Sequence, residues 1–282
     1  MIPSLALYTS HDGAWAVVRD GRRVAWLAKC AGAPVAELAL ETDDADLALV
    51  APPTALAVLA RTPQASTLAV YPAPATRPAA RLPLEIPAHL AAVTGPRMAL
   101  LSPDRRHALI VRSAGHALAS QLPELEGPIE FVAGLERNQL LFGLHKKLEA
   151  IDAVSCRPLA RPLLPLPPPP RVLGSALGHL WAMRQAADRI IVIRLSDHRP
   201  FEHDAQSSIV DVICHPSSPV LVLVTATGIL RLHCHAHSVT PIRDVPAVCG
   251  AMALHVDGDE HYLVGTTGIA AEPWRVRVTR PS

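Results

Sequence analysis

The chain has 282 residues, half of them hydrophobic and only 18% charged, which supplies a large core and excludes the composition of a disordered chain. The formal net charge of +1 gives no electrostatic reason to expect nucleic acid or an anionic membrane as the main partner. Aromatic residues make up just 4%, so Ala, Val and Leu must build the core.

In chain order, short apolar runs bounded by Gly, Pro and Asp recur about every 41 residues, and copies starting at Ala45 and Ala88 align most clearly. Each copy holds four candidate strands, a to d. In the first copy these are 5–9, 14–20, 22–29 and 34–40, with tight turns at His11-Asp12-Gly13 and Asp20-Gly21. The run lengths of five to eight residues, rich in Val, Leu and Ala, follow the strand pattern rather than the helical 3.6 period. Units that cannot bury their faces alone must stack on their neighbours.

The repeat therefore predicts one all-β domain, a seven-bladed β-propeller with four antiparallel strands per blade. The blades fall at 4–41, 45–85, 88–124, 127–166, 171–205, 208–246 and 248–282, and the last lacks an evident outer strand. Prolines number 28 and concentrate between c and d and within d. Proline has no N–H to give to a ladder, so it belongs on the outer edge. The run Leu164-Pro165-Leu166-Pro167-Pro168-Pro169-Pro170 is expected to form a stiff polyproline crossing from blade 4 to blade 5.

The five cysteines, Cys30, Cys156, Cys214, Cys234 and Cys249, are odd in number and form no Cys-x-x-Cys pair. That fits a reducing compartment. The first residues show no secretory pattern, and no apolar run approaches the ~18 residues of a membrane helix, so a soluble cytoplasmic protein is expected.

His233-Cys234-His235-Ala236-His237 is the sharpest local cluster. On a continuous strand 229–237, His233, His235 and His237 would share one face, as a His-x-His zinc or copper site requires. A further ligand would have to come from Cys214, His215 or His255. The plainer reading is solvated histidines with Cys234 packed inward, and no metal or other cofactor is assigned.

Basic residues recur at b–c turns, at Arg22, Arg23, Arg105, Arg106, Lys146, Lys147 and near Arg189. Acidic residues fall at d–a turns, at Glu41, Asp43, Asp44, Glu85, Glu124 and Glu126. Propeller geometry puts both turn types on one face. They read either as ordinary solvated turns or as a docking surface for a protein partner. Acyl-transfer, phosphate-loop and metalloprotease motifs are missing from the sequence. Asp46, Asn138 and Asp211 lie near inner strands, so a lactonase-like metal hydrolase with its site in the channel is the alternative to a non-catalytic interaction scaffold.

Residues 98–113, a strand, Ser-Pro-Asp, basic residues and a second strand, resemble a common propeller hairpin. Residues 220–232 look similar to WD-repeat and related bacterial propellers. The Trp-Asp dipeptide of those repeats is absent, and Trp26 and Trp274 stand near its place. The Ala-, Pro- and Arg-rich style resembles bacterial propellers encoded beside a MoxR-type AAA+ ATPase and a von Willebrand A-type protein. That resemblance implies an accessory role with one of those two as partner.

Overall fold

The computed structural model describes residues 5–114, 117–121, 123, 125, 127–135, 138–144, 147–159, 173–183, 188–196 and 199–278. They form seven antiparallel sheets with strands in sequential order, six of four strands and a last one of three. The innermost strands, a, are Leu5–Thr9, Ala45–Val50, His89–Thr94, Ile129–Leu135, Leu173–Ala176, Ile209–Ile213 and Ala251–Asp257. Blade 7 adds Glu260–Thr266 and Trp274–Arg277 and has no fourth strand among the described residues.

The hydrophobic core is divided among the seams between blades. Each of the seven seams holds its own cluster, such as Trp26, Leu56 and Tyr71 between blades 1 and 2 and Ala99, Ile110, Leu140 and Phe142 between blades 3 and 4. The fully buried b strands, such as Arg97–Leu101 and His179–Met183, face a neighbour on both sides, which explains their nearly continuous apolar character. Outer strands are half exposed and carry the ladder-breaking prolines Pro83, Pro158, Pro200 and Pro241.

The ring closes by packing. Leu7, Ala16, Val18 and Leu27 of blade 1 share a cluster with Ala253, Val264 and Ile269 of blade 7. Gly13, at φ +67°, sits in the a–b turn of blade 1 so tightly that a Cβ would collide with the Val256 carbonyl. The polyproline run at 164–170 and Lys146 lie outside the described residues.

Candidate docking face and central channel

The b–c turns and d–a crossovers do share a face, and arginines stitch them together. At the end of strand b in blade 1, Arg19 donates to the Asp43 and Ala45 carbonyls, each at 2.6 Å. Arg22 donates to the carbonyls of Leu40 at 2.9 Å and Glu41 at 2.7 Å. At the matching end of strand b in blade 2, Arg61 is buried and pairs with Asp44 at 2.5 Å and with Asp46. In blade 3, Arg105 donates to the Glu130 carbonyl at 2.8 Å while its own carbonyl accepts from the Ile129 N–H at 2.7 Å. These bonds tie the crossovers and the first residues of the following inner strands to the ends of the b strands and the b–c turns.

The remaining sequence-derived candidates are engaged to different degrees. Arg23 pairs with Glu37 at 2.8 Å and Arg189 with Glu202 at 3.3 Å, all four side chains being well exposed. Asp43 is exposed. Arg106 is exposed as well, and its N–H is held by the Asp104 carboxylate at 3.0 Å. Lys147 opens strand c of blade 4, and Lys146 beside it falls outside the described residues. Among the described residues, the same face carries three of the five large apolar side chains that stand exposed. These are Val210 (70%), Val248 (71%) and Ile86 (52%), at the start of strand a of blade 6 and in the crossovers entering blades 7 and 3.

The histidine cluster departs from its expected geometry. Strand c of blade 6 ends at His233, and residues 234–237 form the c–d turn, with His237 at φ 50°. The imidazoles consequently do not line one strand face. His235 turns to meet the His179 ring edge-on at 4.9 Å, and His237 stacks on Phe201 at 3.4 Å. Arg194 and Arg199 sit over the same Phe201 ring, each 5.3 Å from its centroid. Burial, together with Arg194 and Arg199, holds His237 below the usual histidine range. Among the described residues no group of three His, Cys, Asp or Glu side chains is arranged to hold a metal ion. Asp46, Asn138 and Asp211 are likewise not brought together. Asn138 and Asp211 line the channel, whereas Asp46 is held by Arg61 and by the Leu90 N–H at 2.9 Å.

The channel is a cavity of about 860 Å³ lined by the inner strands of blades 1, 2, 3, 4, 6 and 7. Its walls are mixed: Leu49, Val93, Leu135 and Leu254 line it together with Thr9, Thr94, Asn138 and Asp211. Its mouth lies among the a–b turns, on the face opposite the arginine stitches. There His11 of blade 1 reaches Ser217 of blade 6 at 2.5 Å, and Thr54 of blade 2 donates to Asp12 at 2.9 Å. Buried His215 is pushed down to about 4, chiefly by desolvation. Arg97 and Arg112, cross-strand partners in blade 3, also line this cavity. Sequence reading passed over them; the available signal was a charge opening one apolar strand and another interrupting its neighbour.

No protein-family model matches the chain, and no curated protein matches it. Solved structures do resemble it. The β-propeller domain of Cps50 (Swd1) from Myceliophteria thermophila superposes with TM-score 0.67 at 10% identity, over 98% of this chain and 96% of that one. A chain of the mitotic checkpoint complex gives 0.64 at 13% identity, over 96% and 89%. The dihydro-heme d1 dehydrogenase NirN, solved in complex with DHE, gives 0.61 at 16% identity, over all of this chain and 68% of that one. At such identities the likeness establishes the propeller fold alone.

Proposed function

We propose that this propeller is a non-catalytic interaction scaffold that docks a protein partner on the face built from its b–c turns and d–a crossovers. The observation that carries this reading is the pairing of exposed Val210, Val248 and Ile86 with exposed charges on one rigid face. Scattered apolar anchors in a charged rim are the composition from which protein interfaces are made. The resemblance to a propeller within the mitotic checkpoint complex, an assembly of proteins, supports a protein as the partner class. The resemblance to NirN, a dehydrogenase, is the counterweight.

The sequence style points to an AAA+ ATPase or a von Willebrand A-type protein as the first partners to test. We place the protein in the cytoplasm, a reading supported by its five free cysteines. No helix of the described residues is long and apolar enough to cross a membrane.

The test is affinity capture with identification of bound proteins. Arg22 and Arg105 are poor choices for reversal, because Arg22 holds crossover carbonyls and Arg105 holds the Glu130 carbonyl at the start of the next inner strand, and their loss would disturb the fold. Arg106→Glu combined with Val210→Asp and Val248→Asp leaves those stitches intact. The triple variant should lose the captured partner, and Val154→Asp, in the c–d turn of blade 4 on the opposite face, should retain it. A partner retained by the triple variant sinks the proposed surface.

A further inference from the structure

Arg97 and Arg112 face each other as Cα partners on adjacent strands of blade 3, and both line the channel. Like charges directly opposite in a sheet destabilise it. Arg97 is moreover 7% exposed, and a buried guanidinium normally requires an anionic partner.

Among the described residues no carboxylate is in hydrogen-bonding or ion-pair contact with Arg97. Arg97 donates one bond, to the Asn138 Oδ1 at 3.0 Å, and neither arginine forms an ion pair among the described residues. Asp152 acts on Arg97 electrostatically without contacting it, and its Oδ1 accepts from the Val154 and Ser155 N–H groups. Asp211, also in the channel, accepts from the Val212 N–H at 2.8 Å. Burial, and then the neighbouring Arg112, draw Arg97 below the usual arginine value.

The position of Asn138 is built rather than incidental. It adopts φ 59° at the a–b turn of blade 4, and Gly95 gives it room, since a Cβ at Gly95 would stand 2.7 Å from the Asn138 Oδ1. A residue with a side chain at 95 would displace the group that orients Arg97. Beyond the arginines the lining includes aliphatic side chains, Leu49, Val93, Leu135 and Leu254, interspersed with polar ones such as Thr9, Thr94 and Asp211.

We propose that the channel is a binding site for an amphipathic anion, with its carboxylate or phosphate held by Arg97 and Arg112 and its apolar body lying along the inner strands. Guanidinium groups recognise both headgroups through paired charge-assisted hydrogen bonds, so the arginines alone do not choose between them. The aliphatic part of the lining favours an anion that carries an apolar body over a small inorganic one. This site is separate from the docking face and stands or falls independently of it.

Isothermal titration calorimetry on the full chain tests the assignment with octanoate, octyl phosphate, octanol and inorganic phosphate. One of the two amphipathic anions should bind in a single site, more tightly than octanol and more tightly than inorganic phosphate by about tenfold each, the scale of a charge-assisted bond or a few buried methylenes. The tighter of octanoate and octyl phosphate identifies the headgroup. Arg97→Met should weaken that anion about tenfold and leave octanol unchanged. Arg112 is exposed, so Arg112→Gln should fold normally and produce the same selective loss. Equal binding of octanol and both anions, an anion preference that survives Arg112→Gln, or no anion binding would each overturn the proposal.

Discussion

The hydroxyl of Thr9 donates to the carbonyl of Leu254 at 2.6 Å and ties the innermost strand of blade 1 to that of blade 7. This bond, with the apolar cluster around it, joins the first and last sheets of the ring. In many propellers a strand from the opposite terminus completes the final blade. Among the described residues blade 7 has three strands, and the seam with blade 1 holds this bond and its own apolar cluster.

Gly13 is the most demanding point of that seam. Gly13→Ala places a Cβ against the Val256 carbonyl and forces an L-residue into a left-handed conformation, which alone costs roughly 1–2 kcal/mol. Gly21 has a similar φ of +59° but open space around it. In urea unfolding, Gly13→Ala should lower the midpoint clearly more than Gly21→Ala. Equal shifts would show that blade 1 and blade 7 do not meet as described.

The strand plan was legible because it rests on local chemistry. Apolar runs of five to seven residues, glycine at hairpin turns and proline on outer strands all report the backbone directly. The arginine stitches were not legible, because Arg22 and Arg105 bind backbone carbonyl oxygens, and every residue offers one. The Arg97–Arg112 pair depends on hairpin register, which composition does not reveal. At residues 233–237 alternation suggested a strand, yet the c–d turn begins after His233 and scatters the imidazoles among neighbours contributed by blade 5.

Burial separates the stitching arginines from the surface ones. The Arg61 side chain is 7% exposed and serves both Asp44 and Asp46, whereas Arg23 and Glu37 are 64% and 44% exposed. Arg61→Ala should cost roughly 1–3 kcal/mol, since it strips hydrogen bonds from a charged group and unfastens a crossover. Arg23→Ala should cost about 0–1 kcal/mol. Chemical denaturation of the two variants side by side checks the contrast, and comparable losses would refute the structural role given to Arg61.

Asp44 adds a pH signature to the same site. Its hydrogen bond from Arg61 holds its carboxyl below the usual value. A carboxylate depressed in the folded state stabilises above its unfolded pKa, about 3.9, and loses that contribution as pH falls through the folded value. Arg61→Ala should therefore lose less additional stability than the parent on acidification below about pH 4. Parallel acid-unfolding curves would contradict the assignment.

The thiols divide by burial as well. Desolvation pushes Cys30 and Cys234 up to about 12, and both are enclosed in blade seams. Since the thiolate is the reacting species, neither should be modified by a disulfide reagent at neutral pH while the ring is folded. Cys249 is only half-buried and should react first. Mass mapping after brief labelling distinguishes them, and early labelling of Cys30 or Cys234 would mean that the seams open readily.

Buried histidines place a second pH dependence in a different window. His215 is pushed down to about 4, mainly by desolvation, and burial also lowers His179, His203, His255 and His261. Unfolded histidines titrate near 6.5, so between about pH 6.5 and 4 the unfolded chain binds more protons than the folded one. Stability must then rise with pH across that window and fall on acidification through it, before the aspartate effect begins. His215→Gln removes one of these groups, and its stability should vary less steeply with pH over the same range. The His215 ring lies against the Ser10 carbonyl and the Ser217 N–H at the channel mouth, so the variant also carries a constant packing loss at every pH. The diagnostic quantity is the slope rather than the offset. Urea midpoints measured at intervals from pH 4 to 8 give it directly, and an unchanged slope in His215→Gln would remove His215 from the set of buried neutral histidines.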